Sequence, residues 1–148
     1  CGAAHRVQEN HDFVPVGLAT YDGLADSDDL TKPNVTIPVL TMKTIMDSYE
    51  HNKIDVLRLK VSTNKEWKGL KNLVNTGVIQ EVGQLSLNLH LSDDSMWEEY
   101  KLILAGIKTA GFLPFYVTRQ PNAEYLNVQE GKTTLVNRYE VGYGNLYR

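Results

Sequence analysis

The chain is expected to adopt an α/β fold, a mainly parallel sheet finished by an antiparallel C-terminal hairpin. Three observations lead there. Strand-like apolar runs alternate with segments of helical periodicity through the middle of the chain, as crossover connections in a parallel sheet require. In the run Val82 to Leu91, Leu85, Leu87, Leu89 and Leu91 alternate with Gln84, Ser86, Asn88 and His90, which gives a strand one apolar and one polar face. Two aromatic-rich strand-like segments, Phe112 to Val117 and, after a Pro121-Asn122 turn, Val136 to Tyr147, close the chain with no clear helix between them.

Taken in order, Phe13 to Leu18 is a short apolar run that Pro15 places at a sheet edge or a strand start. Residues Ala19 to Pro38 carry Asp22, Gly23, Asp26, Asp28, Asp29 and two prolines, the composition of a surface loop. Their acidic cluster lacks the spaced Gly and terminal Glu of a calcium loop. Thr41 can cap a helix with Met42, Ile45, Met46 and Tyr49 on one face, and the chain turns near His51-Asn52. Ile54 to Val61 reads as a well-buried strand. Thr63 or Asn64 then caps a helix with Trp67, Leu70, Leu73 and Val74 on its apolar face, and Gly77 suits the left-handed residue that ends it. After the alternating strand, Ser92 or Asp94 starts a longer helix whose stripe runs from Met96 and Trp97 through Tyr100, Ile103 and Leu104 to Ile107. Both tryptophans sit on apolar stripes, so each is read as core packing rather than as a ligand platform.

With 148 residues, a net charge of -3 and 42% apolar residues, the chain is the size of one domain with an ordinary core and no basic field to draw it to nucleic acid. No apolar run approaches the ~20 residues of a membrane helix, so no membrane partner is expected. Cys1 in place of an initiating Met points to a processed or trimmed product or a piece of a longer polypeptide, and as the sole cysteine it is either a free thiol, the ordinary case near a terminus, or paired with another chain. Asn34-Val35-Thr36 is a glycosylation sequon, which would be used in the secretory pathway and leans the compartment that way.

Several strings fall in order across most of the chain: Phe13-Val14-Pro15-Val16-Gly17-Leu18, Leu40-Thr41-Met42-Lys43-Thr44-Ile45-Met46, Ile54-Asp55-Val56-Leu57-Arg58-Leu59-Lys60-Val61 with Glu66-Trp67, and Gln84-Leu85-Ser86-Leu87-Asn88-Leu89-His90. Together they resemble the methyltransferase-like domain family related to the FkbM methyltransferases, whose corresponding strings run v-G-L, L-x-T-I-M, I-D-V-L-K-I-D-x-E-G-x-E-W and Q-L-L-x-E-x-H. The resemblance implies that residues 1–148 form the carboxyl-terminal part of a Rossmann-like methyltransferase domain. The glycine-rich half that binds S-adenosylmethionine would precede Cys1, so no cofactor is expected in this chain, and S-adenosylmethionine only if that half is present. Gly142-Tyr143-Gly144 and Gly131-Lys132-Thr133 do not replace it, because neither is followed by a helix and the second lacks the earlier glycine of a phosphate loop.

Two departures from the family's strings bear on activity. Ser62-Thr63-Asn64-Lys65 stands where the resemblance expects an acidic pair, and Asn88 stands where it expects Glu before His90. Both changes replace carboxylates that could act as bases or metal ligands with neutral groups. The candidate site residues are therefore Ser62, Asn64, Asn88 and His90, which the fold should gather near the carboxyl ends of neighbouring strands. No second His, Cys or carboxylate stands at ligand spacing from His90, and no metal site is expected.

The reading that follows is a methyltransferase-like domain inactive on its own, serving as a noncatalytic binding, structural or assembly module. The alternative is one part of an active methyltransferase whose cofactor half lies upstream or on another chain. Either way the outer edge of Ile54 to Val61 should lack a neighbour, which implies a homo-oligomer or a chain that supplies the missing strands.

Overall fold

The computed structural model describes residues 17–26, 36–121, 123, 125–126 and 135–148. Cys1, Asn34, Gly131 to Thr133 and the run Phe13 to Val16 lie outside them.

A small sheet comes first, built from β1 (Gly17–Leu18), β2 (Gly23–Asp26) and β3 (Thr36–Leu40) in the order β1-β3-β2. Gly17–Leu18 is a strand, as the apolar run ending at Leu18 predicts, whereas β2 and the start of β3 replace the loop expected over Ala19 to Pro38; strands this short, carrying Gly23 and Pro38, have no periodicity long enough to read. β3 runs into α1 (Met42–Ser48), whose first turn is capped as expected: the Thr44 N–H donates to Thr41 Oγ1 at 3.2 Å. Asp22 adds a tie from the small sheet, accepting from the Thr41 N–H at 2.9 Å and from the Thr44 hydroxyl at 2.8 Å. These bonds favour the carboxylate and hold Asp22 below the usual carboxylate range.

β4 (Ile54–Val61), α2 (Asn64–Asn75), a 3₁₀ turn over Val78–Glu81 and β5 (Val82–His90) make one crossover unit. β4 and β5 pair in parallel, with Leu57 opposite Leu85, Leu59 opposite Leu87 and Lys60 opposite Asn88. Thr63 and Glu66 form a reciprocal capping box at the start of α2, and Gly77, at φ 76°, takes the left-handed turn after it. At Gly83 the backbones pass closely enough that a Cβ there would stand 2.9 Å from the Asp55 carbonyl oxygen.

A 3₁₀ turn over Asp94–Met96 leads into α3 (Trp97–Thr109). The 3₁₀ turn is capped not by Ser92 or Asp94 but by Asp93, whose Oδ1 accepts from the Ser95 N–H and hydroxyl, and α3 itself follows Met96 without a side-chain cap. β6 (Phe112–Arg119), the short pair β7 (Tyr125–Leu126) and β8 (Leu135–Val136), and β9 (Arg138–Asn145) complete the described chain.

The main sheet corrects the expected fold class. Its order is β4-β5-β9-β6, and only the β4–β5 pairing is parallel; β9 runs antiparallel to both β5 and β6. The sheet is mixed, not a mainly parallel, Rossmann-like one. The terminal strands do pair antiparallel, as the hairpin reading required, and β9 lodges between β6 and β5. Side-chain matching explains the insertion: Leu85, Leu87 and Leu89 face Tyr143, Val141 and Tyr139 across the β5–β9 seam, extending one apolar surface. Asn145 fastens the end of β9, donating to the Val82 carbonyl at 2.9 Å and accepting from the Tyr147 N–H at 3.0 Å.

That surface is covered by α2 and α3, with Trp67, Leu70, Leu73, Tyr100, Ile103 and Ile107 packed on Leu85, Leu87, Leu89 and Phe112 in one core. Met42 and Met46 of α1 join the same cluster. The opposite face carries Gln84, Ser86, Asn88 and His90 on β5 and the exposed Arg58 and Lys60 on β4. β4 also departs from its expected burial: it ends the sheet, and Val56 is 60% exposed.

Candidate functional site

The carboxyl ends of β4 and β5 bring the sequence-predicted residues into one neighbourhood but not into one hydrogen-bonded cluster. Ser62 and Thr63 form the turn between β4 and α2, and the Glu66 carboxylate folds back over it. One oxygen, Oε2, accepts from the Ser62 N–H at 2.5 Å, the Ser62 hydroxyl at 2.9 Å and the Thr63 N–H at 3.1 Å. The Glu66 N–H returns a bond to Thr63 Oγ1 at 3.3 Å. Charge-assisted bonds of this kind hold the turn tightly and occupy the backbone donors there.

Asn64 bonds across to the next connection, its amide donating to Asp93 Oδ2 at 2.8 Å. With Ser95 on its other oxygen, Asp93 is held below the usual carboxylate range, the Ser95 hydroxyl contributing most and Asn64 next. The Asp93 N–H donates to the Tyr100 hydroxyl at 3.3 Å. Burial raises the Tyr100 phenol above its ordinary pKa, so it stays protonated at neutral pH. Asp93 was not among the predicted residues; its signal was the Asp-x-Ser spacing that closes an Asx turn before a helix.

Asn88 lies one register step earlier, opposite Lys60 on one side and Glu140 on the other. Its Oδ1 is buried with no hydrogen-bond partner among the described residues. His90 sits opposite Arg138 at the end of β5. Burial lowers its pKa first, and the positive charges of Arg138 and Lys60 lower it further, so the imidazole is neutral at pH 7. The His90 carbonyl accepts from the Trp67 indole N–H at 3.1 Å, which ties the end of β5 to the middle of α2. Among the described residues no group of three or more His, Cys, Asp or Glu side chains is placed to hold a metal ion, and no helix is long and apolar enough to cross a membrane.

What these ends can do chemically is bounded by the hydrogen bonds that already engage their carboxylates. Glu66 is the carboxylate nearest the turn, and its Oε2 is the cap of α2. Asp93 is engaged with Asn64 and Ser95. The neutral His90 is the remaining candidate proton acceptor, and its bonded partner in α2 holds its backbone.

No protein-family model and no solved structure matches the chain. Over 48 residues, 32% of the chain, it is 40% identical to proteins named probable methyltransferase-like protein 24 from Rattus norvegicus and from Homo sapiens. The matched residues span 13% of those relatives' length. This likeness supports a methyltransferase-like relationship for the chain.

Proposed function

We propose that this methyltransferase-like domain is a noncatalytic assembly module, joined to a second copy of itself through the open edge of β4. The observation that carries the reading is the difference between the two edges of the main sheet. β6 is blunted by Pro114 and by an irregularity between Pro114 and Tyr116. β4 runs its eight residues without a proline and has a neighbour on one side only among the described residues. An edge of that kind is a template for strand addition.

The side chains favour a self-pairing centred on Val56. Antiparallel copies then set the exposed Val56 against Val56 and Ile54 against Arg58, with no like charges opposite. A pairing centred on Arg58 would oppose two guanidinium groups.

The end of β4 supports the noncatalytic part. S-adenosylmethionine needs backbone N–H groups for an anionic group and a carboxylate for its ribose hydroxyls. Here the Ser62 and Thr63 N–H groups and Glu66 are bonded to one another, so these residues do not fit the cofactor. Calorimetry with the purified chain is expected to show no saturable uptake of S-adenosylmethionine; micromolar binding, about 8 kcal/mol, contradicts the proposal.

Light scattering tests the assembly. The native chain is expected at twice its monomer mass and Val56→Lys at the monomer mass, because a lysine at an exposed edge opposes pairing. A native chain that is monomeric at micromolar concentration removes the reading.

The likeness to much longer methyltransferase-like relatives favours a second reading, in which this chain is one part of an active enzyme and another segment supplies the cofactor site. Methyl transfer that appears only when such a segment is added back would favour it.

A further inference from the structure

The face of the main sheet turned away from α2 and α3 carries two unlike patches. At one, Phe115 is 68% exposed although its ring rests on the backbone of β9: a Cβ at Gly142 would stand 3.0 Å from the ring, and one at Gly144 3.8 Å. The two glycines make room for the ring, and most of it stays in water, with Leu113 and Tyr116 exposed beside it on β6. Exposed apolar surface gathered in this way marks interaction sites. At the other patch, β4, β5 and β9 carry Lys60, His90 and Arg138. Lys60 and Arg138 take part in none of the ion pairs among the described residues. Glu140, the carboxylate that the strand registers put on the same face, lies 3.6 Å from the Arg58 guanidinium and accepts from the Gln120 amide at 3.4 Å. The field at this corner is positive. Burial comes first in lowering the pKa of His90, and the charges of Arg138 and Lys60 follow, each exceeding the opposite pull of Glu66.

We infer that this face docks an extended acidic segment of another protein, with an apolar side chain against Phe115 and a carboxylate at Lys60 and Arg138. Gly142, under the ring, and Arg138 are four residues apart on β9, about 13 Å, and an extended segment lying along β9 covers that distance in four residues. Aromatic anchors and complementary charge are what such interfaces use for affinity and register. Single-stranded nucleic acid also joins stacking to cations, but it needs a basic groove that follows its backbone. Here Glu140 stands between Arg138 and the glycines under Phe115, and the chain as a whole carries a net charge of -3, so a segment with one acidic end fits better. The docking uses the face of the sheet and not the edge of β4, so it is independent of the pairing proposed above.

Fluorescence anisotropy on the whole chain tests the docking with a labelled peptide of about ten residues, in which a phenylalanine is followed four residues on by two aspartates. Saturable binding is expected, weaker by about tenfold when the aspartates become asparagines or the phenylalanine becomes alanine. The double variant Lys60→Gln, Arg138→Gln and the single variant Phe115→Ala are each expected to melt close to the native chain and to bind the peptide about tenfold more weakly. No saturable binding, equal affinity for the asparagine peptide, undiminished binding by either folded variant, or tighter binding of an oligothymidylate strand than of the peptide would each overturn the inference. Scattering by the native chain in the same buffer reports separately on the pairing through β4.

Discussion

Trp67→Ala is expected to destabilise the chain by about 3 to 5 kcal/mol, the largest single effect in the molecule. Trp67 is 0% exposed, and its ring centroid lies 4.4 Å from that of Tyr100, so it joins α2 to α3 in the centre of the core. Its indole N–H also satisfies the His90 carbonyl. Removing the side chain leaves both a large void and an unmade bond. Trp67→Phe keeps most of the volume and loses the bond, for which about 1 kcal/mol is the usual scale. Chemical denaturation of the two variants measures the separation; equal losses would mean that the indole bond, and not the packing, dominates.

Leu87→Ala should cost about 2 to 5 kcal/mol, while Ser86→Ala next to it should change stability by less than about 0.5 kcal/mol. Leu87 is 0% exposed at the middle of β5, flanked by Leu59 and Val141 on the neighbouring strands, and faces the helices. Ser86 lies on the opposite face, between Arg58 and Gly142. Their denaturation midpoints in urea decide the matter, and a larger loss for Ser86→Ala would reverse the assignment of the buried face.

The elements that were legible in the sequence are those set by near neighbours. Thr41 and Thr63 cap their helices, Gly77 takes the left-handed turn, and β5 alternates as its leucines required. Sheet order was not legible, because an antiparallel strand with an apolar face pairs equally well inside or outside its hairpin mate. Only the match of Tyr139, Val141 and Tyr143 to the β5 leucines puts β9 inside. The candidate site was legible as a neighbourhood and not as a bonding pattern. Thr63-x-x-Glu66 has the capping-box spacing, and the structure gives Glu66 that role; the tie from Asn64 to Asp93 spans 29 residues, beyond any local pattern.

The central claim, that β4 presents an edge for a second copy, is tested most directly by amide hydrogen exchange along Ile54 to Arg58 at a series of protein concentrations. The account predicts that some amides in this stretch exchange faster on dilution and more slowly as concentration rises, while those of β5 hold constant, because pairing of copies follows mass action. Uniformly slow exchange from Ile54 to Arg58 in dilute, monomeric protein would contradict it, and would show that the chain covers its own edge.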